Sequence, residues 1–155
     1  MTPDNDDLLI LETTRGPVTV AMRPDLAPRH VARIKELVRE RFYDGIVFHR
    51  VIDGFMAQTG DPTGTGTGGS GKKLKAEFSR EPHKRGTVSM ARAQHPDSGD
   101  SQFFICFEDA PFLNGQYTVW GRVIEGMENV DGIKRGEPVI DPDKIVSARM
   151  KSDNA

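Results

Sequence analysis

A chain of 155 residues fits one domain and is long enough to bury roughly two thirds of the surface its unfolded form exposes, so no second domain is required. Its 21 basic and 23 acidic residues are interspersed and leave a formal net charge of −2, which excludes the basic field that sequence-independent phosphate binding needs, and with it nucleic acid as a primary partner. A single cysteine, Cys106, cannot form an internal disulfide, and no run approaches the roughly 18 apolar residues of a membrane span, which predicts a soluble, cytoplasmic protein with no membrane partner.

Residues 1–7, MTPDNDD, form an acidic leader with no apolar stretch after it of the kind a signal peptide carries. Residues 8–14 and 18–22 are apolar, β-rich runs separated by Arg15, Gly16 and Pro17, which predicts an antiparallel hairpin. From 27 to about 41, Val31, Ile34, Leu37 and Val38 recur at helical spacing, and Pro28 falls in the first turn, where its missing N–H removes no helical bond. Residues 48–61, FHRVIDGFMAQTGD, predict a second hairpin: a strand through Arg50, a turn at Asp53 and Gly54, and a short return over 55–59. Half of the positions in 60–71, GDPTGTGTGGSG, are glycine and none is apolar, so this stretch is a surface loop. Short strands follow over 87–92 (TVSMAR), 103–107 (FFICF) and 118–123 (TVWGRV). Met127, Val130 and Ile133 mark a short helical face ending near Gly136, and 144–150 alternates as a half-buried strand, with Ile145, Ser147 and Arg149 opposite Val146, Ala148 and Met150. About eight strands and two helices, without strand–helix alternation, predict a mainly β fold: a closed antiparallel β-barrel capped by helices. The expected organisation is the leader 1–7, a single domain over 8–150 and a tail over 151–155, with no internal repeat.

The glycine loop contains two near-matches to nucleotide signatures, and both read as decoys. Gly66, Gly68 and Gly71 satisfy GxGxxG, but the stretch after them runs into Pro82 before a helix can form, and Lys73 stands where a phosphate loop needs Ser or Thr to hold magnesium. His30, His49, His83 and His95 sit at no metal spacing, no nucleophile elbow occurs, and Cys106 inside FFICF reads as a buried small hydrophobe, so no metal and no cofactor are expected. Alternation turns His49 away from Arg50, and it reads as a satisfied structural histidine. What remains is a surplus of polarity: Arg50, Gln58 and Gln102 stand in apolar strands beside Phe55, Met56, Phe103 and Phe104. Either they satisfy one another and loop backbone, or they surround an apolar pocket suited to a small hydrophobic group on a peptide backbone.

At these residues the sequence resembles the cyclophilins, the peptidyl-prolyl cis–trans isomerases. FHRVIDGFMAQTGD is similar to that family's central segment, GTGTGG to its glycine loop, GTVSMARA to its G-x-x-x-MA strand, SQFFI to its SQFFI and FLNGQYTVWGRV to its L-x-G-x-x-x-x-F/W-G-x-V element. The resemblance covers nearly all of 8–150 and implies an eight-stranded antiparallel barrel with a helix at each end. It implies Arg50 as the catalytic residue, Phe55, Met56, Phe104 and Leu113 as the lining of a proline pocket, and Gln58 and Gln102 as hydrogen-bonding groups around the substrate carbonyl and the arginine. Ala91 and Arg92 would present backbone to the bound peptide, and Thr67 and Gly68 would border a neighbouring pocket. Phe112 stands where the best-known eukaryotic members often have Trp, and Tyr117 where they often have His. Cyclosporin binding is therefore expected to be weak, because the indole N–H that would donate to the drug is missing. Thr59 stands where glycine is frequent and raises a question about the local backbone. The implied activity is isomerisation of Xaa-Pro bonds in proline-containing peptides and in unfolded or folded protein clients, assisting folding, by a monomer. A proline-peptide binding module with little turnover is the competing reading, since the same pocket serves both.

Overall fold

The computed structural model describes residues 5–154; the first four residues of the acidic leader and the last residue of the tail lie outside the described residues. In chain order the elements are β1 (Leu8–Thr13), β2 (Gly16–Met22), α1 (Pro28–Arg39), β3 (Arg50–Ile52), β4 (Met56–Thr59), β5 (Thr87–Met90), β6 (Phe103–Cys106), β7 (Val119–Glu125), α2 (Met127–Asp131) and β8 (Ile145–Met150). The strands form one sheet in the order β3-β4-β6-β5-β7-β2-β1-β8, and every neighbouring pair is antiparallel.

The expected closed barrel is corrected in one respect. The sheet curls into a half-barrel, and its two ends meet only through isolated bridges, Val47 with Lys144 and Val51 with Gly136. β3 has three residues, too few for a full ladder with β8, so single backbone bonds such as Ile145 N–H to Ile46 O (2.8 Å) hold the seam.

α1 starts at Pro28 as its spacing predicts, and it buries Val31, Ile34, Leu37 and Val38 together with His30. No side chain of its own caps its first turn; Glu77 does so from outside, accepting from the N–H of His30 at 2.8 Å and of Arg29 at 3.2 Å. α2 ends at Asp131, short of the expected Gly136, because Arg135 folds back to donate to the carbonyls of Asp131 and Ile133 and holds that stretch as a loop. The strict alternation expected of β8 also fails. Ile145, Ala148 and Met150 are buried while Val146 is exposed, because the pairing with β1 slips between Glu12 and Thr13, so that Ser147 faces Glu12 and Ile145 faces Thr13. Val146 is the extra residue of this bulge, and the inward phase changes across it.

The interior is one cluster built from the inward residues of the strands and the buried face of α1, with Trp120, Tyr43, Phe48 and Phe103 as its largest members. A second, smaller cluster of Met56, Phe104, Cys106, Ala110 and Leu113 lies on the other face of β4 and β6. Cys106 belongs to it, and burial pushes its thiol up to about 12, so it is an inert apolar group.

Candidate active site

Register across four strands brings the polar residues together. Arg50 on β3 pairs with Gln58 on β4, Gln58 with Phe104 on β6, and Phe104 with Ser89 on β5. Side chains alternate along each strand, so these four lie in one row on the outer face, while Val51, Ala57, Ile105 and Val88 form the adjacent row inside.

A one-way hydrogen-bond relay runs along the open end of the outer row. Asp61 organises the glycine loop by accepting from the N–H groups of Thr63 (2.8 Å), Thr65 (3.2 Å), Gly66 (2.6 Å) and Gly68 (3.1 Å). Burial works to raise its pKa, but the Thr63 hydroxyl and these N–H groups outweigh it and hold the carboxyl far below its ordinary value. The loop carbonyls of Gly66 and Gly68 then accept from Gln102 Nε2 at 3.0 and 2.9 Å. Carbonyls only accept, so Gln102 Oε1 must face Gln58 Nε2, at 2.9 Å, which in turn aims Gln58 Oε1 at Arg50 Nη1, 3.4 Å away. At the far end Arg50 Nε donates to Glu137 Oε2 at 2.7 Å. The groups satisfy one another, as the first reading of the polar surplus expects, and among the described residues Arg50 Nη2 meets no acceptor.

The sequence-predicted residues surround two adjoining cavities. Arg50, Phe55, Met56, Phe104, Phe112, Leu113 and Tyr117 line one of about 400 Å³, and Thr67, Gly68 and Gln102 line another of about 330 Å³; Gln58, Ala91 and Arg92 border both. The first is walled by aromatic rings: Phe55 lies 5.5 Å from Phe112, Phe104 meets Tyr117 edge-on at 5.7 Å, and the Arg92 guanidinium covers Tyr117 at 4.7 Å. Phe112 is 70% exposed and forms the outer lip. Arg92 also donates to the carbonyls of Ala93, Gln94 and Gln116, so its side chain braces the strip between the cavities. Thr59 leaves the backbone a regular strand and spends its hydroxyl on Val47 O at 2.9 Å.

Two residues beside this site carry no sequence signal. Glu137 lies in an irregular segment 87 positions from Arg50, and only the folded chain joins them. His83 is buried behind the aromatic wall, where its ring stacks on Phe104 at 6.2 Å and meets Tyr117 edge-on at 6.4 Å. Ser89 Oγ donates to Thr118 O at 3.0 Å, so it accepts from His83 Nε2 at 2.9 Å, while the His83 backbone N–H donates to Asn114 Oδ1 at 2.7 Å. His83 thus ties β5, Phe104 and the turn after Leu113 into one wall. Expectation and structure differ at His49: it is buried as expected, but neither ring nitrogen meets a protein partner among the described residues. Among the described residues, no group of three or more His, Cys, Asp or Glu is arranged to hold a metal, and no helix is long and apolar enough to cross a membrane.

Comparison with known proteins finds one family. Residues 8–150 match the family model described as cyclophilin type peptidyl-prolyl cis-trans isomerase/CLD. A probable peptidyl-prolyl cis-trans isomerase of Brucella suis is 53% identical, over 97% of this chain and 85% of its own, and peptidyl-prolyl cis-trans isomerase B of Bacillus subtilis is 48% identical over 74% and 80%. Among solved structures, a cyclophilin from Hirschia baltica superposes with a TM-score of 0.92 at 34% identity, covering 100% of this chain and 77% of that one. A Cryptosporidium parvum cyclophilin type peptidyl-prolyl cis-trans isomerase, crystallised in the presence of the dipeptide Ala-Pro, superposes with a TM-score of 0.86 at 30% identity, covering 92% and 98%.

Proposed function

The chain belongs to the cyclophilin-type peptidyl-prolyl cis–trans isomerases, and we propose that its turnover runs on Arg50 beside the aromatic-walled cavity. Rotation about an Xaa-Pro bond is slow because it sacrifices amide resonance, a barrier of about 18–20 kcal/mol. At the twisted geometry the prolyl nitrogen becomes pyramidal and recovers a lone pair. A donor aimed at that nitrogen is rewarded only in the transition state, which is what lowers a barrier rather than merely tightening binding. Arg50 is such a donor: always charged, half-buried, and held at Nε and Nη1 so that one edge of the fork stays available. No proton transfer, nucleophile or cofactor enters this reaction.

The ring of the proline enters the cavity formed by Phe55, Met56, Phe104 and Leu113, with Phe112 and Tyr117 at its mouth. Gln58, Gln102 and the backbone of Ala91 and Arg92 hold the chain on one side of the bond, so rotation takes place on the other. Thr67 and Gly68 receive a neighbouring side chain. The Ala-Pro dipeptide used with the Cryptosporidium parvum relative supports proline-containing peptides as ligands. Unfolded or folded protein clients, weak cyclosporin binding through Phe112, a monomeric state, a cytoplasmic location and a functional unit spanning 8–150 complete the reading.

The observation that carries it is the relay that ends on Arg50. The test is exchange spectroscopy on a short Xaa-Pro peptide with wild type and Arg50→Ala. Removing one transition-state donor is expected to cost turnover about 100- to 1,000-fold, and an Arg50→Ala enzyme of wild-type activity would overturn the assignment.

A further inference from the structure

The relay accounts for one end of the Arg50 guanidinium and leaves open what holds the other. β3 is a three-residue end strand, and its side chains project from the border of the sheet, where a long arginine has many rotamers available. The segment after α2 passes this border and is pinned to it on both sides of residue 137. Gly136 and Val51 exchange two backbone bonds of 2.8 Å each, and Val139 N–H donates to His49 O at 3.2 Å. Gly136 has φ +157, and a Cβ there would sit 2.8 Å from Pro138 O, so the turn that delivers Glu137 is close-packed against its own backbone. Glu137 is therefore presented beside Arg50 by backbone anchors rather than by a freely moving loop, and its Oε2 accepts from Nε at 2.7 Å.

Nε is the guanidinium position nearest the chain. Fixing it with a charged acceptor fixes the plane of the fork, and Gln58 on Nη1 then sets its remaining rotation. We propose that Glu137 is a positioning residue for isomerisation, holding the Arg50 fork in the orientation that meets the twisted prolyl nitrogen. The inference rests on Arg50 as the transition-state donor. Glu137 itself lines neither cavity.

The experiment is a set of four enzymes, wild type, Glu137→Ala, Arg50→Ala and the double variant, assayed on one Xaa-Pro peptide with kcat and KM separated. Glu137→Ala is expected to lower kcat roughly two- to five-fold, the size of an exposed charge pair's contribution, with KM and thermal midpoint unchanged. Glu137→Gln keeps an oxygen acceptor for Nε and recovers part of the loss. In the Arg50→Ala background Glu137→Ala should change nothing further, because the group it positions is gone. Added salt should slow the wild type toward Glu137→Ala and leave the variant unaffected. Wild-type kcat in Glu137→Ala, or an equal loss in both backgrounds, overturns the positioning role while leaving Arg50 intact. Wild-type kcat in Arg50→Ala overturns both assignments.

Discussion

Val51, Ala57, Ile105 and Val88 cross β3, β4, β6 and β5 one residue away from Arg50, Gln58, Phe104 and Ser89, on the same strands and in the same register. All four of the first row are at most 1% exposed and belong to the apolar core cluster. The second row is graded. Ser89 is fully buried and Phe104 nearly so, Gln58 is intermediate, and the Arg50 side chain is 43% exposed. Polarity follows the grade: hydroxyl and ring at the closed end, amide in the middle, cation at the open end. A single pleated sheet thus separates two tasks by one residue of offset. Burial of apolar area on one face holds the fold, and directed hydrogen bonds on the other build the site.

The contrast is broken most strongly at its two ends. Arg50→Ala should cost about 3–4 kcal/mol of transition-state stabilisation, read as kcat/KM in a peptide isomerisation assay, and leave the denaturant midpoint where it was. Ile105→Ala, in the inner row, should do the reverse, losing about 3 kcal/mol of folding stability by urea titration while the folded fraction turns over normally. Equal damage to both properties by either variant would show that the faces are not independent. His83→Phe falls between them. It keeps a ring behind Phe104, the backbone N–H bond to Asn114 and the Ser89 bond to Thr118 O, but removes the Nε2 donor that Ser89 Oγ accepts from, so about 1 kcal/mol of stability and a measurable part of kcat/KM should be lost together.

The smallest effect is proton-linked. Burial holds the imidazoles of His30, His49 and His83 below their ordinary pKa, against the opposing pull of Glu77, Asp61 and Asn114 respectively, with Arg50 adding to the depression at His49. These rings stay neutral in the fold while the unfolded chain takes up protons first. Their contribution is therefore complete above the unfolded value of about 6.5 and drains away as pH falls from there toward the folded values. The thermal midpoint should be level between pH 7 and 8 and decline below roughly pH 6.5, and His83→Phe should make that decline shallower. A midpoint flat down to pH 5 would count against neutral buried histidines.

Much of this was legible from residue order. Two-residue alternation turned His49 away from Arg50, helical spacing marked α1, and a glycine-dense stretch marked the loop that orients Gln102. The segments FHRVIDGFMAQTGD and SQFFI contain seven members of the relay and pocket, Arg50, Phe55, Met56, Gln58, Asp61, Gln102 and Phe104. What stayed hidden depends on where distant chain segments return. Glu137 meets Arg50 because Gly136 bonds to Val51, and His83 meets Phe104 and Asn114 because the stretch before β5 tucks behind β6. The bulge in β8 came from its pairing with β1, which no pattern within β8 records.

Local stereochemistry repeats every two residues in a strand and every 3.6 in a helix, so the sequence by itself marked the elements and, β8 apart, their inward faces, while the apolar lining of the pocket was implied by the resemblance to the cyclophilins. The seam of isolated bridges, the tether from Glu137 and the wall behind Phe104 join residues with no periodic relation, and their energies exist only once the sheet has curled. Tertiary structure decided these, because a directional hydrogen bond has no donor–acceptor geometry until both chain segments are in place.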